Sequence, residues 1–442
     1  MNIAMFTNTY SPHVGGVARS VASFCEAYRR KGHRTLVVAP EFPGTPTQET
    51  GIVRIPAIQN FNGSDFSVVL PFSGLLSEKM NAFRPDIIHA HHPYLLGTTA
   101  LRIARYRQLP LVFTHHTRYE EYTHYVPGDS PRMRRFIIEM ATQYANLADR
   151  VFAPSESIRE LLRARSVTTE IDVVPTGLVP EDFSGGNGET LRRQLDIPAA
   201  SYVVGHLGRL APEKNIAFLA RAVARFITQT RKADGGPGKN VSGYFLVVGS
   251  GECEQAIRDI FESQGLSSRL RTLGTLQPAA LADALAAMDI FAFTSHSETQ
   301  GMVLTEAMAA GLPVVALDAP GAREVVKDKE NGRLLAEDSC WEDFAEILAW
   351  MAAQPAAQMR EWRAGARRTA EEFSMNRTAD KALNCYVSLQ SQTPSSSWSE
   401  PEERWQSSLQ LIKAEWDILK ATGSATSAAL SHSGNPARFK NT

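Results

Sequence analysis

At 442 residues the chain exceeds what one ordinary hydrophobic core supports, so two domains are expected. A composition of 43% hydrophobic, 21% charged and 8% aromatic residues is that of a soluble globular protein. With 46 Lys and Arg against 47 Asp and Glu, the net charge of -1 excludes a strongly basic nucleic-acid binder and a strongly acidic solvating chain.

The chain opens on an apolar segment, Asn2–Phe6, that predicts a strand, followed by a polar loop over Thr7–Gly16. That opening has no basic start and breaks at Pro12, so no signal peptide is expected. A helix follows over 17–31, with Val21, Phe24, Cys25 and Tyr28 on one face, and then a strand over Thr35–Ala39. Further strands are predicted at Ile87–His89, Leu111–Thr114, Val151–Ala153 and Ile171–Val174, with helices at 94–107, 132–147 and 155–164. After the glycine-rich Ser184–Gly188 the rhythm restarts, with strands at Tyr202–Gly205, Tyr244–Val248, Ile290–Phe293 and Val314–Leu317. Helices are predicted at 215–232, 252–264, 278–287, 302–310 and 341–371, and the insert Ala233–Gly243 reads as a surface loop. Short strands alternating with longer helices predict parallel sheets covered on both faces. The division is therefore two doubly wound α/β domains, 1–180 and 181–375, facing across a cleft.

Beyond them, 376–390 reads as a short helix and 391–402 as a polar linker. Residues 403–421 predict an amphipathic helix with Trp405, Leu409, Ile412, Trp416 and Leu419 on one face, read as packing on a domain. The Ser-, Ala-, Gly- and Asn-rich 422–442 predicts a disordered tail. Cys25, Cys253, Cys340 and Cys385 are isolated, which fits a reducing cytoplasm and forms no metal-ligand cluster. No apolar run approaches the roughly 18 residues that cross a bilayer. Charge is uneven: residues 1–180 hold 19 Lys and Arg, 15 Asp and Glu, and eight of the eleven histidines.

Four places have residue types suited to chemistry. Gly15-Gly16, between a strand and its helix, suit close backbone approach and an anion at the helix start, or equally a tight turn. In GRLAPEKN at 208–215, Arg209 and Lys214 flank Pro212 after a strand and match a diphosphate, the bland reading being two solvated cations. In ETQGMVLTE, Glu298 falls in a loop and Glu306 in the first helical turns, while Gly301, Met302 and Val303 offer backbone N–H groups. Those carboxylates suit sugar and ribose hydroxyls, an acid/base pair for hydrolysis, or a hydrated surface. The fourth place is the histidines at two strand ends: His89, His91 and His92, then His115 and His116. For His91 and His92, supporting hydrogen bonds and substrate contact are equally matched, whereas substrate contact is favoured for His116, which leads into TRYEEY. Their spacing is no zinc pattern, so no metal is expected.

PHVGGVAR at 12–19, FTHHTRYEEYTHY at 113–125, GRLAPEKN at 208–215, SETQGMVLTEAMAAG at 297–311 and NG at 331–332 stand in order along residues 1–390. Together they resemble the retaining glycosyltransferases of family four, which have the GT-B fold of two Rossmann-like domains. The resemblance implies metal-independent hexosyl transfer from a nucleotide sugar, UDP-glucose or UDP-galactose, with no further cofactor. It implies that Arg209 and Lys214 hold the donor diphosphate, with Gly15 and Gly16 contributing backbone nearby. Glu298, with Gly301, Met302 and Val303, would address the transferred sugar, Glu306 the ribose, and His116 the sugar near the reacting centre. On the acceptor side the candidates are His13, His92, Arg118 and Tyr119. Helix 376–390 resembles the segment that crosses back onto the first domain.

Within the family, HHTRYEEYTHY and SETQG look most like enzymes that glycosylate diacylglycerol or related membrane lipids. Many relatives have Phe-Gly after the first glutamate, where this chain has Thr299-Gln300-Gly301; Gln300 suits either a sugar contact or a helix cap. Soluble saccharides, phosphatidylinositol and polyprenyl acceptors stay open, as do an epimerase, a hydrolase and a noncatalytic sugar-nucleotide sensor. Arg102, Arg105 and Arg107, with Arg132, Arg134 and Arg135, suit an anionic membrane surface or an ordinary solvated one. The expected site of action is the cytoplasm, peripheral to the inner face of the membrane, with no nucleic-acid partner.

Overall fold

A computed structural model describes residues 1–12, 15–46, 49–58, 68–69, 74–118, 120, 130–232, 242–296, 298–392 and 401–430. The chain divides into two compact units, Leu178–Ser374 on one hand and Met1–Gly177 joined by the segment from Met375 on the other.

The first unit is built on strands β1 (Asn2–Phe6), β2 (Arg34–Pro40), β3 (Ile52–Ile55), β6 (Ile87–Ala90), β7 (Leu111–Thr114), β8 (Arg150–Ala153) and β9 (Ile171–Val173). They form one seven-stranded sheet in the order β3-β2-β1-β6-β7-β8-β9, every pairing parallel. Two short strands, β4 (Ala57–Ile58) and β5 (Val68–Val69), pair antiparallel apart from it. Helices α1 (Gly16–Arg30), α2 (Gly74–Phe83), α3 (Leu96–Arg107), α4 (Pro131–Leu147) and α5 (Glu156–Ala164) alternate with the strands. β6, β7 and β8 are buried at every residue, because a parallel sheet sheathed by helices leaves neither face to water.

The second unit repeats the plan. Short helices α6 (Glu181–Ser184) and α7 (Gly188–Gln194) precede β10 (Tyr202–Leu207), α8 (Ile216–Lys232), β11 (Gly243–Val248), α9 (Glu254–Ser263), β12 (Leu270–Thr272) and α10 (Pro278–Ala286). Then come β13 (Ile290–Phe293), α11 (Met302–Ala309), β14 (Val314–Leu317), β15 (Gly332–Leu335), α12 (Trp341–Ala352) and α13 (Ala356–Glu372). The parallel sheet runs β12-β11-β10-β13-β14-β15. Alternate residues feed two cores: Val204, Phe245, Ile290 and Val315 pack on one face, and Val203, Leu246, Phe291 and Val314 on the other. The single helix predicted over 341–371 is two, because Pro355 cannot continue a helix and instead caps the start of α13.

Each unit is thus a doubly wound, Rossmann-like domain, and the two together make the GT-B fold. In each, the chain reverses its direction of travel across the sheet at its first strand, between β1 and β6 and between β10 and β13. Ligands in open parallel sheets bind beyond the carboxyl ends of strands at such a reversal.

After α13 the chain rejoins the first unit. Helix α14 (Met375–Gln392) packs on α1 through Tyr386, which is fully buried. Its hydroxyl lies 3.1 Å from Tyr28 Oη and 2.6 Å from His89 Nδ1. Tyr386→Phe leaves His89 Nδ1 buried and stripped of that partner, which costs about 2 kcal/mol. A lower urea midpoint at unchanged slope is expected, and an unchanged midpoint would show that the hydroxyl carries no net stability.

Helix α15 (Pro401–Leu430) corrects two expectations. Residues 422–430 are helical rather than part of a disordered tail, because small side chains let this stretch dock: Ala425 is fully buried and Ser424 Oγ donates to Glu139 Oε1 at 2.9 Å. The packed face is Ala414, Ile418 and Ala425, held by Arg102 Nε on Glu415 Oε1 at 2.5 Å, while Trp416 and Leu419 are 58% and 64% exposed. The side chains of Trp405, Leu409 and Ile412 lie outside the described residues. Arg102 is thereby engaged by a carboxylate, and Arg105 pairs with Asp149 at 3.3 Å. Among the described residues, no helix is long and apolar enough to cross a membrane.

Candidate functional site

At the reversal in the second unit, two loops 84 residues apart in sequence meet. The loop after β10 turns at Gly208, runs through a 3-10 turn at Pro212–Lys214 and enters α8 after Asn215, which is left-handed. Gly208 has a φ of +151°, and a Cβ on Gly249 would come within 1.9 Å of Gly208 O, so the ends of β10 and β11 close tightly here. The loop after β13 secures the first one: Thr294 Oγ1 donates to Lys214 O at 3.2 Å, and Ser295 Oγ to Glu213 O at 3.4 Å. Lys214 Nζ donates to Glu298 Oε1, both side chains being largely buried. Arg209, 41% exposed, instead pairs with Glu213 at 2.5 Å.

Gly301 starts α11 from a left-handed conformation (φ +72°), a backbone state that a side chain would strain. The first N–H groups that follow, on Met302 and Val303, have no acceptor within the helix and lie at its positive end. Glu306 is buried on the next turn. Gly321 packs behind this loop, where a Cβ would lie 2.5 Å from Glu298 Cβ; its N–H donates to Glu324 Oε2 at 2.7 Å. Cations, carboxylates and a helix start therefore gather beyond β10 and β13, an arrangement suited to a phosphorylated, hydroxyl-rich ligand. Of the other signature residues, Asn331 is structural: its amide donates to Val325 O and Thr369 Oγ1, both at 2.9 Å.

In the first unit the reversal lies beside α1. Gly15 is extended and caps the helix without a side chain, and among the described residues a Cβ on Gly16 would meet nothing within 4 Å. His13 and Tyr119 lie outside the described residues. His92 Nδ1 accepts the N–H of Asn8 at 3.1 Å, and Asn8 Oδ1 accepts that of Leu96, so His92 ties the β1 loop to the start of α3. His91 and His116, from neighbouring strand ends, meet at 2.8 Å between Nδ1 and Nε2. Burial pushes the imidazoles of His89 and His92 down to about 3 and those of His91 and His116 well below the ordinary range, so all four are neutral near pH 7.

Arg118 is buried, 3.6 Å from Glu120, whose carboxylate also accepts from Arg165 at 2.5 Å. Burial raises the Glu120 carboxyl, but Arg165 and then Arg118 outweigh it and hold it below the usual range. Sequence reasoning missed Arg165, Thr294, Ser295 and Gly321. Only topology brings them to these loops. Among the described residues, no group of three or more His, Cys, Asp and Glu side chains is placed to hold a metal.

Two family models match the chain in succession, Glycosyltransferase Family 4 over residues 14–182 and Glycosyl transferases group 1 over residues 187–369. Among characterised relatives, the alpha-monoglucosyldiacylglycerol synthase of Streptococcus pneumoniae is 28% identical over 76% of this chain and 75% of its own. The GDP-mannose-dependent alpha-mannosyltransferase of Mycolicibacterium smegmatis is 30% identical over 76% and 85%. Among solved structures, sucrose-phosphate synthase from Thermosynechococcus elongatus superposes with a TM-score of 0.70 at 20% identity, covering 88% of this chain and 99% of that one. Anabaena HepE in complex with UDP-glucose gives 0.65 at 22% identity, covering 87% and 100%.

Proposed function

This chain belongs to the family-4 and group-1 glycosyltransferases, and from that premise we propose that it transfers a hexose from a nucleotide sugar to a lipid or glycolipid hydroxyl with retention of anomeric configuration. The observation that carries this reading is the meeting of Lys214 and Glu298 beyond β10 and β13, beside the left-handed start of α11. Lys214, Arg209 and the Met302 and Val303 N–H groups hold the donor diphosphate, and Gly15 and Gly16 contribute backbone to donor binding. Glu298 and Gly301 address the sugar, Glu306 the ribose diol, and His116 a sugar hydroxyl at the reacting centre. Arg118 and His92, with His13 and Tyr119, serve the acceptor side.

As the bond from C1 to the diphosphate oxygen breaks, positive charge grows on the sugar ring and negative charge on the diphosphate. Stabilisation by Lys214, Arg209 and the helix start rises with that charge, so it lowers the barrier rather than merely tightening binding. The acceptor oxygen forms its bond to C1 on the face the diphosphate leaves, and a departing phosphate oxygen takes the acceptor proton. No step requires a metal.

A lipid acceptor is supported by the relatives named for diacylglycerol, and a UDP-hexose donor by HepE with UDP-glucose. GDP-mannose is the second reading of the donor, because mannosyltransferases named for it reach 30% identity. The test is incubation with UDP-glucose, UDP-galactose and GDP-mannose against diacylglycerol vesicles and simple saccharides. Product mass and anomeric coupling constants identify sugar and linkage. An α-linked hexosyl lipid from a UDP-hexose is expected. Transfer only to water, or interconversion of the sugar nucleotide without an acceptor, would replace the reading with a hydrolase or an epimerase. Peripheral action at an anionic surface is proposed through Arg132 and Arg134, exposed at the start of α4; flotation with anionic liposomes at low salt checks it.

A further inference from the structure

The histidines at the ends of β6 and β7 form an ordered row. His89 is fixed at both ring nitrogens, Nδ1 lying 2.6 Å from Tyr386 Oη and Nε2 2.7 Å from Thr114 Oγ1. The ring of His91 lies 4.2 Å from that of His89, and the ring of His116 meets it edge to edge, with centroids 5.1 Å apart and planes 25° apart. Between His91 Nδ1 and His116 Nε2 the separation is 2.8 Å.

Two neutral imidazoles joined in this way need one N–H and one bare nitrogen. The far nitrogen of His91 decides which is which. His91 Nε2 is buried and, among the described residues, has no hydrogen-bond partner. A proton there would be an orphaned buried donor, which folded proteins avoid more strictly than an unused acceptor. The His91 proton therefore belongs on Nδ1 and is given to His116 Nε2. With Nε2 accepting, the proton of His116 belongs on Nδ1.

We propose that His91 is a positioning residue whose Nδ1–H holds the His116 ring as the Nδ1–H tautomer, making that N–H the donor His116 offers the transferred sugar. This rests on the role proposed above for His116. Loss of the His91 donor lets His116 rotate or change tautomer, so its N–H no longer meets the sugar oxygen, with a cost in turnover rather than in donor affinity.

The experiment pairs His91→Phe, which keeps a flat ring but has no donor, with His91→Asn, whose amide N–H replaces that of Nδ1. Nitrogen-15 spectra of histidine-labelled protein, with the His116 signals assigned by their loss in His116→Gln, read the tautomer directly. Wild type is expected to carry the His116 proton on Nδ1 and His91→Phe to lose that preference. His91→Phe should lower kcat about tenfold with donor KM within about twofold, and His91→Asn should return kcat to within about threefold. A wild-type His116 protonated on Nε2 overturns the proposal. So does a parallel loss of kcat and melting temperature in both variants, the mark of packing alone. If His91→Phe does not fold, the wild-type tautomer and His91→Asn still decide. Wild type that transfers no sugar from any donor sinks the enzymatic reading, while its spectrum still reports whether His91 sets the tautomer.

Discussion

Lys214→Ala is expected to lower kcat/KM by about a thousandfold. A unit charge about 4 Å away, at the effective dielectric of a partly exposed protein site, interacts by about 4 kcal/mol, which corresponds to about three decades in rate. Only the part that grows as the diphosphate departs appears in kcat, so both kcat and donor affinity fall. The competing explanation is structural, because Lys214 also pairs with Glu298. Breaking a largely buried pair costs about 3 kcal/mol and lowers the melting temperature measurably. Glu298→Gln separates the two. If Lys214 merely anchors Glu298, the two variants will match in kinetics and melting temperature. If Lys214 serves the diphosphate, Lys214→Arg will recover part of the rate, since charge persists although the fork fits differently. Unchanged kinetics in Lys214→Ala would remove it from the donor site.

The interior strands of both sheets were readable because burial on two faces demands continuous apolar runs, as in IFAF at Ile290–Phe293 and LVFT at Leu111–Thr114. Of the four edge strands only β9 was read, at Ile171–Val174. β3, β12 and β15 read IVRI, LRT and GRLL, each with an arginine and partly exposed positions, because an edge strand has one neighbour and tolerates charge. Helix α15 shows the converse failure. Of the apolar face read in the sequence, Trp416 and Leu419 are exposed, while Ala414 and Ala425 are buried beside Ile418 because close approach favours small side chains.

The site was visible as residue types and hidden as partnerships. Arg209 and Lys214 sit around Pro212 as one cationic motif, but each answers to a different carboxylate, Glu213 or Glu298. The second pairing depends on β10 lying beside β13, which spacing along the chain does not encode. Gly321 is silent in sequence for the same reason: its lack of a side chain matters only because Glu298 Cβ occupies the space. The histidines were conspicuous, and the structure shows that burial fixes their behaviour.

Acid should unfold the first unit well before the second. Burial pushes the imidazoles of His89 and His92 to about 3 and that of His115 to about 4, and takes His91 and His116 well below their ordinary value. The second unit holds one comparable case, His206, lowered to about 4 by burial. A histidine whose folded pKa is depressed takes up its proton more readily unfolded. Its contribution to stability is therefore complete above about pH 6.5 and drains away as pH falls toward 3 or 4. At pH 5 each of His89, His92 and His115 costs about 2 kcal/mol, so the three cost about 6 kcal/mol, comparable to the entire stability of a domain, and the lowered His91 and His116 act in the same direction. One costs about 2 kcal/mol, which a domain survives. Glu120 acts only at lower pH: held below its ordinary value, it withdraws stability once pH drops beneath about 4.5, leaving the histidines alone responsible above that. Hydrogen exchange read by peptide mass, corrected for the intrinsic rate at each pH, distinguishes the units. Peptides from β6 and β7 should lose protection between pH 6.5 and 5, while those from β10, β11 and β13 retain it. Equal protection at pH 5 would mean that the buried histidines of β6 and β7 protonate in place, and that their burial is far less complete than their packing indicates.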